Sequence, residues 1–146
     1  MANRDIKTAM LKSTGASLAA AQTATFDTQW YSLNGVEYFG FVVDVGVVAG
    51  TSPTLDIDVE YTMDGGTTVF TEFPNTINAE AISGVGTNAA GLTQITTSDA
   101  QHMIYFLNPF PNDNNLQVRL ECTIAGTSAS FTLDNIYLIA KRVGKY

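Results

Sequence analysis

Two segments of this chain alternate apolar and polar residues with a period of two. Leu55 to Tyr61 reads Leu-Asp-Ile-Asp-Val-Glu-Tyr, and Leu116 to Ile124 reads Leu-Gln-Val-Arg-Leu-Glu-Cys-Thr-Ile. Successive side chains of a strand point to opposite faces, so this pattern is typical of a β-strand with one buried face. We therefore expect a core built from strands.

The chain after Thr25 continues this signature between turn sequences. Asn34-Gly35 and Asp64-Gly65-Gly66 are turn sequences that favour β-hairpins. We predict an all-β chain, an antiparallel β-sandwich of jelly-roll or Ig-like type with about 6–8 strands. The predicted strands cover residues 26–33, 38–48, 55–61, 67–73, 102–107, 116–124 and 131–141.

Alternation also selects the residues of the core. Cys122 has the apolar parity of its strand, so we expect a buried small apolar side chain rather than a reactive thiol. The apolar parity of the last strand changes near Asp134-Asn135, which predicts a β-bulge. The predicted inter-sheet core consists of Val43, Val45, Ile57, Val59, Val118, Leu120 and Leu133.

Two segments stand outside the regular strand pattern. We predict an N-terminal arm at residues 1–24, and a β-sandwich domain at 25–146 with a long loop at 74–101. The arm is basic and then rich in Ser, Thr, Ala and Gly, and we expect it to order on a neighbouring molecule. The loop is too long for a hairpin connection, so we expect a short strand at 91–97 and a contact with another protein elsewhere.

One short sequence occurs twice. Ala49-Gly-Thr-Ser52 recurs as Ala125-Gly-Thr-Ser128, each time between two strand-like runs. One explanation is duplication of a strand–turn–strand unit. The simpler explanation is convergence on a favourable turn, because Gly permits positive φ and Thr and Ser hydrogen-bond the turn backbone.

Basic residues are concentrated at the two ends of the chain. Residues 13–140 hold thirteen acids and one base, Arg119, for a formal charge of −12, whereas the ends hold six bases and Asp5, for +5. Such a body repels phosphate, so we expect no nucleic-acid partner, while the ends suit an acidic protein surface. The basic residues predicted to bind a partner are Arg4, Lys7, Lys12, Lys141, Arg142 and Lys145.

Phe110 is the one further residue that we predict to bind a partner. It lies between two prolines in the polar loop 108–115. An exposed aromatic side chain in such a loop is a candidate anchor for a protein partner. The alternative is that Phe110 folds back and closes one end of the sandwich.

The residue types that catalysis and metal binding need are scarce. Cys122 and His102 are the sole cysteine and histidine, so neither an intrachain disulfide nor a Cys–His metal cluster can form. The sequence has no Gly-x-Ser-x-Gly elbow and no P-loop. We predict that the chain is not an enzyme and has no catalytic residues, cofactor or metal. It has neither an apolar stretch of about 18 residues nor a signal-peptide core, so we expect cytosolic synthesis and no membrane partner.

Three local patterns leave alternatives open. Asp56, Asp58 and Glu60 share a strand face, which is a solvated face, a dock for the basic ends of a neighbour, or a cation site completed by Asp44. Residues 62–68 resemble one degenerate Asp-box with Val69 at its aromatic position, although a tight Asp-Gly-Gly turn is the simpler explanation. The tyrosines and Trp30 could pack in the core and on the sheet faces or form a platform that stacks on sugars, and packing is the simpler explanation.

Two runs carry a family resemblance. Residues 55–68, Leu-Asp-Ile-Asp-Val-Glu-Tyr-Thr-Met-Asp-Gly-Gly-Thr-Thr, and residues 116–131, which end Ile-Ala-Gly-Thr-Ser-Ala-Ser-Phe, resemble small β-sandwich structural proteins of tailed bacteriophages. These are capsid decoration (cement) proteins and head–tail or tail components. The resemblance covers residues 39–73 and 102–140, and departs from the family pattern at Val69, where we expect Trp.

The resemblance implies a virion structural protein, made in the host cytoplasm and without catalytic residues. We expect a capsid decoration protein that binds the outside of a phage head, with the major capsid protein or another virion protein as partner. We also expect a homo-oligomer. The alternatives are a neck or tail component of the virion, and a carbohydrate-binding β-sandwich module.

Overall fold

The computed structural model describes residues 5–9, 20–71, 76–83, 85–87, 93–98, 101–108 and 110–142. In these ranges, ten strands join one antiparallel sheet, which curls into a half-barrel and contains no helix. The all-β prediction is confirmed. No described helix could cross a membrane. The strands are β1 (Asp5–Ala9), β2 (Phe26–Asp27), β3 (Tyr31–Ser32), β4 (Val36–Thr62), β5 (Phe70–Thr71), β6 (Thr76–Ser83), β7 (Val85–Thr87), β8 (Thr93–Ile95), β9 (Gln101–Leu107) and β10 (Gln117–Arg142).

The strands β4 and β10 pair along almost their whole length and form a long two-stranded ribbon. We call 36–48 with 131–142 the upper half of the ribbon, and 54–62 with 117–125 the lower half. In the upper half, β10 also pairs with β1, and β4 pairs with β9, which pairs with β6. In the lower half, β10 pairs with β2 and β3, and β4 pairs with β5 and β8, which pairs with β7.

The two Ala-Gly-Thr-Ser segments meet between these halves, at a place we call the corner. Thr51 lies opposite Thr127, and the register shifts on both sides of this pair. The sequence predicts turns here, but each strand continues through its segment. Bulges bend and twist a strand without ending it, so the corner accounts for part of the curl of the sheet.

The two corner segments have the same backbone geometry. Gly50 and Gly126 have φ angles of 110° and 116°, and Ser52 and Ser128 have φ angles of 50° and 52°. A Cβ on Gly50 would lie 2.7 Å from the Ser128 carbonyl oxygen, and one on Gly126 would lie 2.7 Å from the Ser52 carbonyl oxygen. Each glycine therefore packs against the other segment, an arrangement that duplication and convergence both allow.

The inner face of the ribbon forms a single apolar core. All seven predicted core residues are buried, from Val43 and Val45 in the upper half to Ile57 and Leu120 in the lower half. The core also holds the Phe39, Phe41 and Tyr61 rings in edge-to-face contacts. The predicted bulge is confirmed, because the register shifts between Leu133 and Asn135.

The Asn34-Gly35 hairpin prediction is wrong in its pairing. Gly35 has φ 72° and the Val36 N–H donates to the Leu33 carbonyl at 3.0 Å, so a tight turn does form. The preceding strand β3, however, pairs with β10 rather than with β4. Asn34 does not adopt a positive φ, and the two-residue hairpin turn favoured by Asn-Gly requires it at both central residues.

The structure also differs from the prediction at 74–101, where it places three strands within the predicted loop. One of them, β8, lies within the predicted short strand at 91–97. Pairing with β4, β8 and β9 selects strands here, although Asn, Ala and Gly, which are poor strand formers, are frequent in this segment. At the N-terminus, Asp5–Ala9 pairs with β10. The division into an arm at 1–24 and a domain at 25–146 stays a prediction.

Candidate interaction surfaces

The outer face of the lower half carries a group of carboxylates that we call the carboxylate face. Alternation turns the apolar residues of β4 inward and leaves Asp56, Asp58 and Glu60 outward. The strand pairing then sets Glu121 opposite Asp58. The carboxylate face consists of Asp27, Asp56, Asp58, Glu60 and Glu121.

Arg119 neutralises part of this face. Its Nη1 lies 2.9 Å from Asp27 Oδ2, and its Nε donates to Glu60 Oε2 at 2.6 Å. The guanidinium carbon also lies 4.5 Å from the centre of the Trp30 ring. The single base of residues 13–140 therefore links β2, β4 and Trp30.

Glu121 lies among carboxylates that disfavour its charged form. Partial burial raises its pKa above the ordinary 4.5, and so do the neighbouring charges of Glu60, Asp27 and Asp58, with Arg119 opposing them. The face thus carries more negative charge than its one cation compensates.

The cation-site alternative for this face loses its fourth ligand. Asp44 lies on the same strand as Asp56, on the other side of the corner, where the Asn135 amide donates to it at 3.3 Å. Asp56 itself accepts a hydrogen bond from Gln94 Nε2 at 2.7 Å. Among the residues that the structure describes, no group of three or more His, Cys, Asp or Glu could hold a metal ion.

The upper end of the ribbon brings together residues that the sequence singles out separately. Lys141 lies opposite Tyr38, and its Nζ is 5.6 Å from the Tyr38 ring centre. Asp5 pairs with Lys141 on the other side, and Arg142 pairs with Val36. The exposed fraction of Tyr38 is 40%.

The loop that carries Phe110 is attached to the same end. The Asn108 N–H donates to the Glu37 carbonyl at 2.9 Å, and the buried Asn108 amide donates to the Val36 and Leu33 carbonyls. Asn108 Oδ1 in turn accepts from the Phe110 N–H at 2.9 Å. Phe110 is 52% exposed, so it does not close the end as a lid.

We call Tyr38, Phe110, Lys141 and Arg142 the basic end. Of the residues predicted to bind a partner, the structure brings Phe110, Lys141 and Arg142 to this end. Lys7 lies opposite Ile139 in the neighbouring strand. Arg4, Lys12 and Lys145 lie outside the described residues. The role of all seven in binding stays a prediction.

The sequence reasoning missed a further surface, the tip of the β4–β5 hairpin. Met63, Val69 and Phe70 are 45%, 37% and 50% exposed. The Thr62 hydroxyl accepts from the Gly66 N–H at 2.8 Å, and Asp64 Oδ1 accepts from the Thr68 N–H at 2.8 Å. The Thr68 bond is the largest of the influences that hold the pKa of Asp64 below 3.8. The Asp-box-like spacing of Thr62, Asp64 and Thr68 is the sequence signal that locates this tip.

The remaining candidates from the sequence are mostly internal. Cys122 is buried, as predicted, and burial raises the pKa of its thiol. Tyr61 is buried in the core, and burial followed by the charge of Asp58 raises its pKa. His102 lies in β9, opposite Val43 and Ala81.

No protein-family model matches this chain, and no curated protein and no solved structure does so either.

Proposed function

We propose that this chain is a non-enzymatic virion structural protein, a capsid decoration protein that binds the outside of a phage head through its basic end. The observation that carries the proposal is the meeting of Lys141, Tyr38 and the Phe110 loop at one end of the ribbon. The carboxylate face lies beyond the corner from this end. The partner is the major capsid protein, or another virion protein at the shell.

The composition of the basic end suits a protein partner. Exposed aromatic side chains such as Tyr38 and Phe110 are frequent anchors of protein interfaces. Lys141 and Arg142 supply positive charge beside Asp5 and Glu37, and this positive charge suits an acidic partner surface. The negative body opposes approach in the other orientation, so the charge asymmetry orients the protein as it docks.

The proposal includes a sandwich arrangement of the curled sheet and a homo-oligomer on the shell. Side chains from the inner faces of both halves, Phe41 and Val43 from the upper and Ile57 and Val59 from the lower, belong to one core cluster. Such a cluster is the packing that two facing layers would give. The shell, which repeats one subunit many times, would hold many copies.

Binding to shells tests the proposal. We would change Phe110→Ser and Lys141→Gln together and measure the copies bound to shells assembled from the major capsid protein of the phage that encodes this chain. We expect at least about a tenfold loss of affinity, because an interface anchor is typically worth about 2 kcal/mol or more. Salt should weaken wild-type binding too, since exposed charges are screened within about 10 Å at 0.1 M.

Val47→Thr is the matched control, because Val47 is 63% exposed and lies near the corner, away from the basic end. Binding by the double variant equal to that of this control would remove the basic end from the proposal. Negative-stain images of labelled protein on whole particles separate the two virion locations. Label over the whole head supports decoration, whereas label at one vertex would show a neck or tail component.

A further inference from the structure

The tip of the β4–β5 hairpin exposes three apolar side chains on a braced turn. We propose that Met63, Val69 and Phe70 form a second docking element, which inserts into an apolar recess on a neighbouring shell subunit. Each copy then bridges two subunits of the shell. This inference rests on the proposed function and names a second contact for it.

The exposed side chains are concentrated at this tip. Of the six large apolar side chains described as exposed, three lie within residues 63–70, at 37% to 50% exposure. Two of the others, Tyr38 and Phe110, belong to the basic end. Val47 is exposed alone. Three exposed apolar side chains on one hairpin are more informative than Val47, because a single exposed apolar residue is normal on a protein surface.

The tip is held in one conformation from within. The Thr62 hydroxyl donates to Asp64 Oδ1 at 2.9 Å while accepting from the Gly66 N–H, and Asp64 also accepts from the Thr68 N–H. The Thr67 hydroxyl donates to the Asp64 carbonyl at 3.3 Å. A turn fixed in this way loses little conformational entropy when its side chains bind.

The tip is also braced from outside by Trp30. A Cβ on Gly66 would lie 2.8 Å from Trp30 Nε1, so the turn passes directly against the indole edge. Arg119 stacks on the Trp30 ring and is itself held by Asp27 and Glu60. Arg119, the one cation of the carboxylate face, therefore also holds the indole ring against which the hairpin packs.

Charge and size select the occupant. Residues 62–71 contain one acid, Asp64, and no base, so the tip lacks the Lys and Arg that hold a protein to anionic lipid. A stable dimer needs about 800 Å² from each partner, and a whole aromatic side chain buries only about 150–250 Å². Three partly exposed side chains fall short of this as the sole contact between two copies. They suffice as an anchor on a shell that the basic end already holds, since linked contacts raise affinity by about 10²–10⁴-fold.

Shell binding by three variants tests this inference. The tip variant combines Met63→Ser and Phe70→Thr, which leaves Thr62, Asp64 and Gly66 intact. The end variant combines Phe110→Ser and Lys141→Gln, and Val47→Thr is the control. Dissociation from shells is followed after dilution, at low and moderate salt. Met63→Ser alone, which lies outside the strand pairing, replaces the tip variant if that one does not fold.

We expect the tip variant to leave the shells at least about tenfold faster than wild type and Val47→Thr, given the avidity of linked contacts. Its remaining binding should weaken with salt, because Lys141 still carries it. The remaining binding of the end variant should depend less on salt than that of wild type, because Lys141 no longer contributes its charge while Arg142 still does. This pattern supports both the inference and the proposed function.

Other outcomes separate the two proposals. A tip variant that dissociates like Val47→Thr overturns the inference, while a fast-dissociating end variant keeps the proposed function. A fast tip variant beside an unchanged end variant supports the tip contact and removes the basic end. Wild-type protein that leaves the shells bare overturns both. Sedimentation of free protein that shows an oligomer in wild type and a monomer in the tip variant assigns the tip to a second copy and overturns the shell recess.

Discussion

The two halves of the β4–β10 ribbon are alike on the inside and unlike on the outside. Both turn alternate apolar residues into one core. The outer face of the lower half carries Asp58, Glu60 and Glu121, whereas that of the upper half combines half-buried Val42 and Ile139 with Asp44. Since the same two strands form both halves, secondary structure does not cause the difference. The shared core therefore determines the residue types of the inner face in both halves. The environment of each outer face determines the residue types there.

The comparison is first tested on the inner faces, where the largest effects are expected. Leu120→Ala in the lower half and Leu133→Ala in the upper half should each lower the free energy of unfolding by about 2–5 kcal/mol, because both side chains are buried. Urea titration measures both. A loss below about 0.5 kcal/mol in one half alone, the size of a surface change, would show that the halves do not share one core.

The next largest effect on stability is expected at the corner. Gly50→Ala and Gly126→Ala should each cost at least about 1–3 kcal/mol, because both need φ above 100° and a Cβ would contact the opposite segment. Thermal melting should give similar losses for the two. Ser52→Gly and Ser128→Gly, at φ near 50°, are the controls and should not destabilise. Unequal glycine losses would argue against an equivalent role for the two segments.

Removing one cation from each outer face should lower the stability of the two halves by different amounts. Arg119→Gln should cost about 1.5–3 kcal/mol, since it leaves the buried Glu60 carboxylate without its charged partner. Lys141→Gln should cost less than about 0.5 kcal/mol, since Lys141 is exposed. Chemical denaturation of both variants at pH 7 gives the two values. Equal losses would contradict the different roles of the two cations.

The smallest effect concerns pH. Because the folded pKa of Glu121 is raised, the folded state binds its proton more tightly than the unfolded state, and stability falls as pH rises through that pKa. Glu121→Gln should therefore stabilise the protein at pH 7, by up to about 0.5 kcal/mol. The gain should disappear below the ordinary value of 4.5.

Asp64→Asn provides the opposite sign. The pKa of Asp64 is lowered, so its contribution is present above 3.8 and disappears as pH falls through the folded pKa. Asp64→Asn should destabilise at pH 7 and match wild type at low pH. Melting temperatures measured between pH 3 and pH 7 test both variants. Parallel curves for all three proteins would contradict the two shifts.

The core and the bulge could be predicted from the sequence because both follow from local parity. Val43, Ile57 and Leu133 needed only the period-two rule, and the bulge needed only a change of parity near Asp134. The corner could not be predicted in the same way. Gly and Ser satisfy a chain reversal and a bulge in a continuing strand equally well, and pairing between β4 and β10 decides between them.

The candidate surfaces differ in the same way, because some features follow from local sequence and others from contacts between distant segments. The sequence singled out Phe110 but left open whether it is exposed or folds back, and the structure shows 52% exposure. The contact of Arg119 with Glu60 depends on the strand register, and the position of Trp30 against Gly66 depends on a contact between distant segments. Neither contact can be predicted from the spacing of residues along the sequence. The sequence therefore showed one lone base in an acidic body without showing what it holds.

The length of β4 has a mechanical consequence for a bridging protein. This single 27-residue strand begins at the basic end and finishes at the hairpin tip. Tension between two shell subunits held at these points would run along one covalent backbone of about 90 Å contour, at about 3.3 Å per residue. The neighbouring strand would be loaded in shear along its ladder, so its hydrogen bonds would share the force.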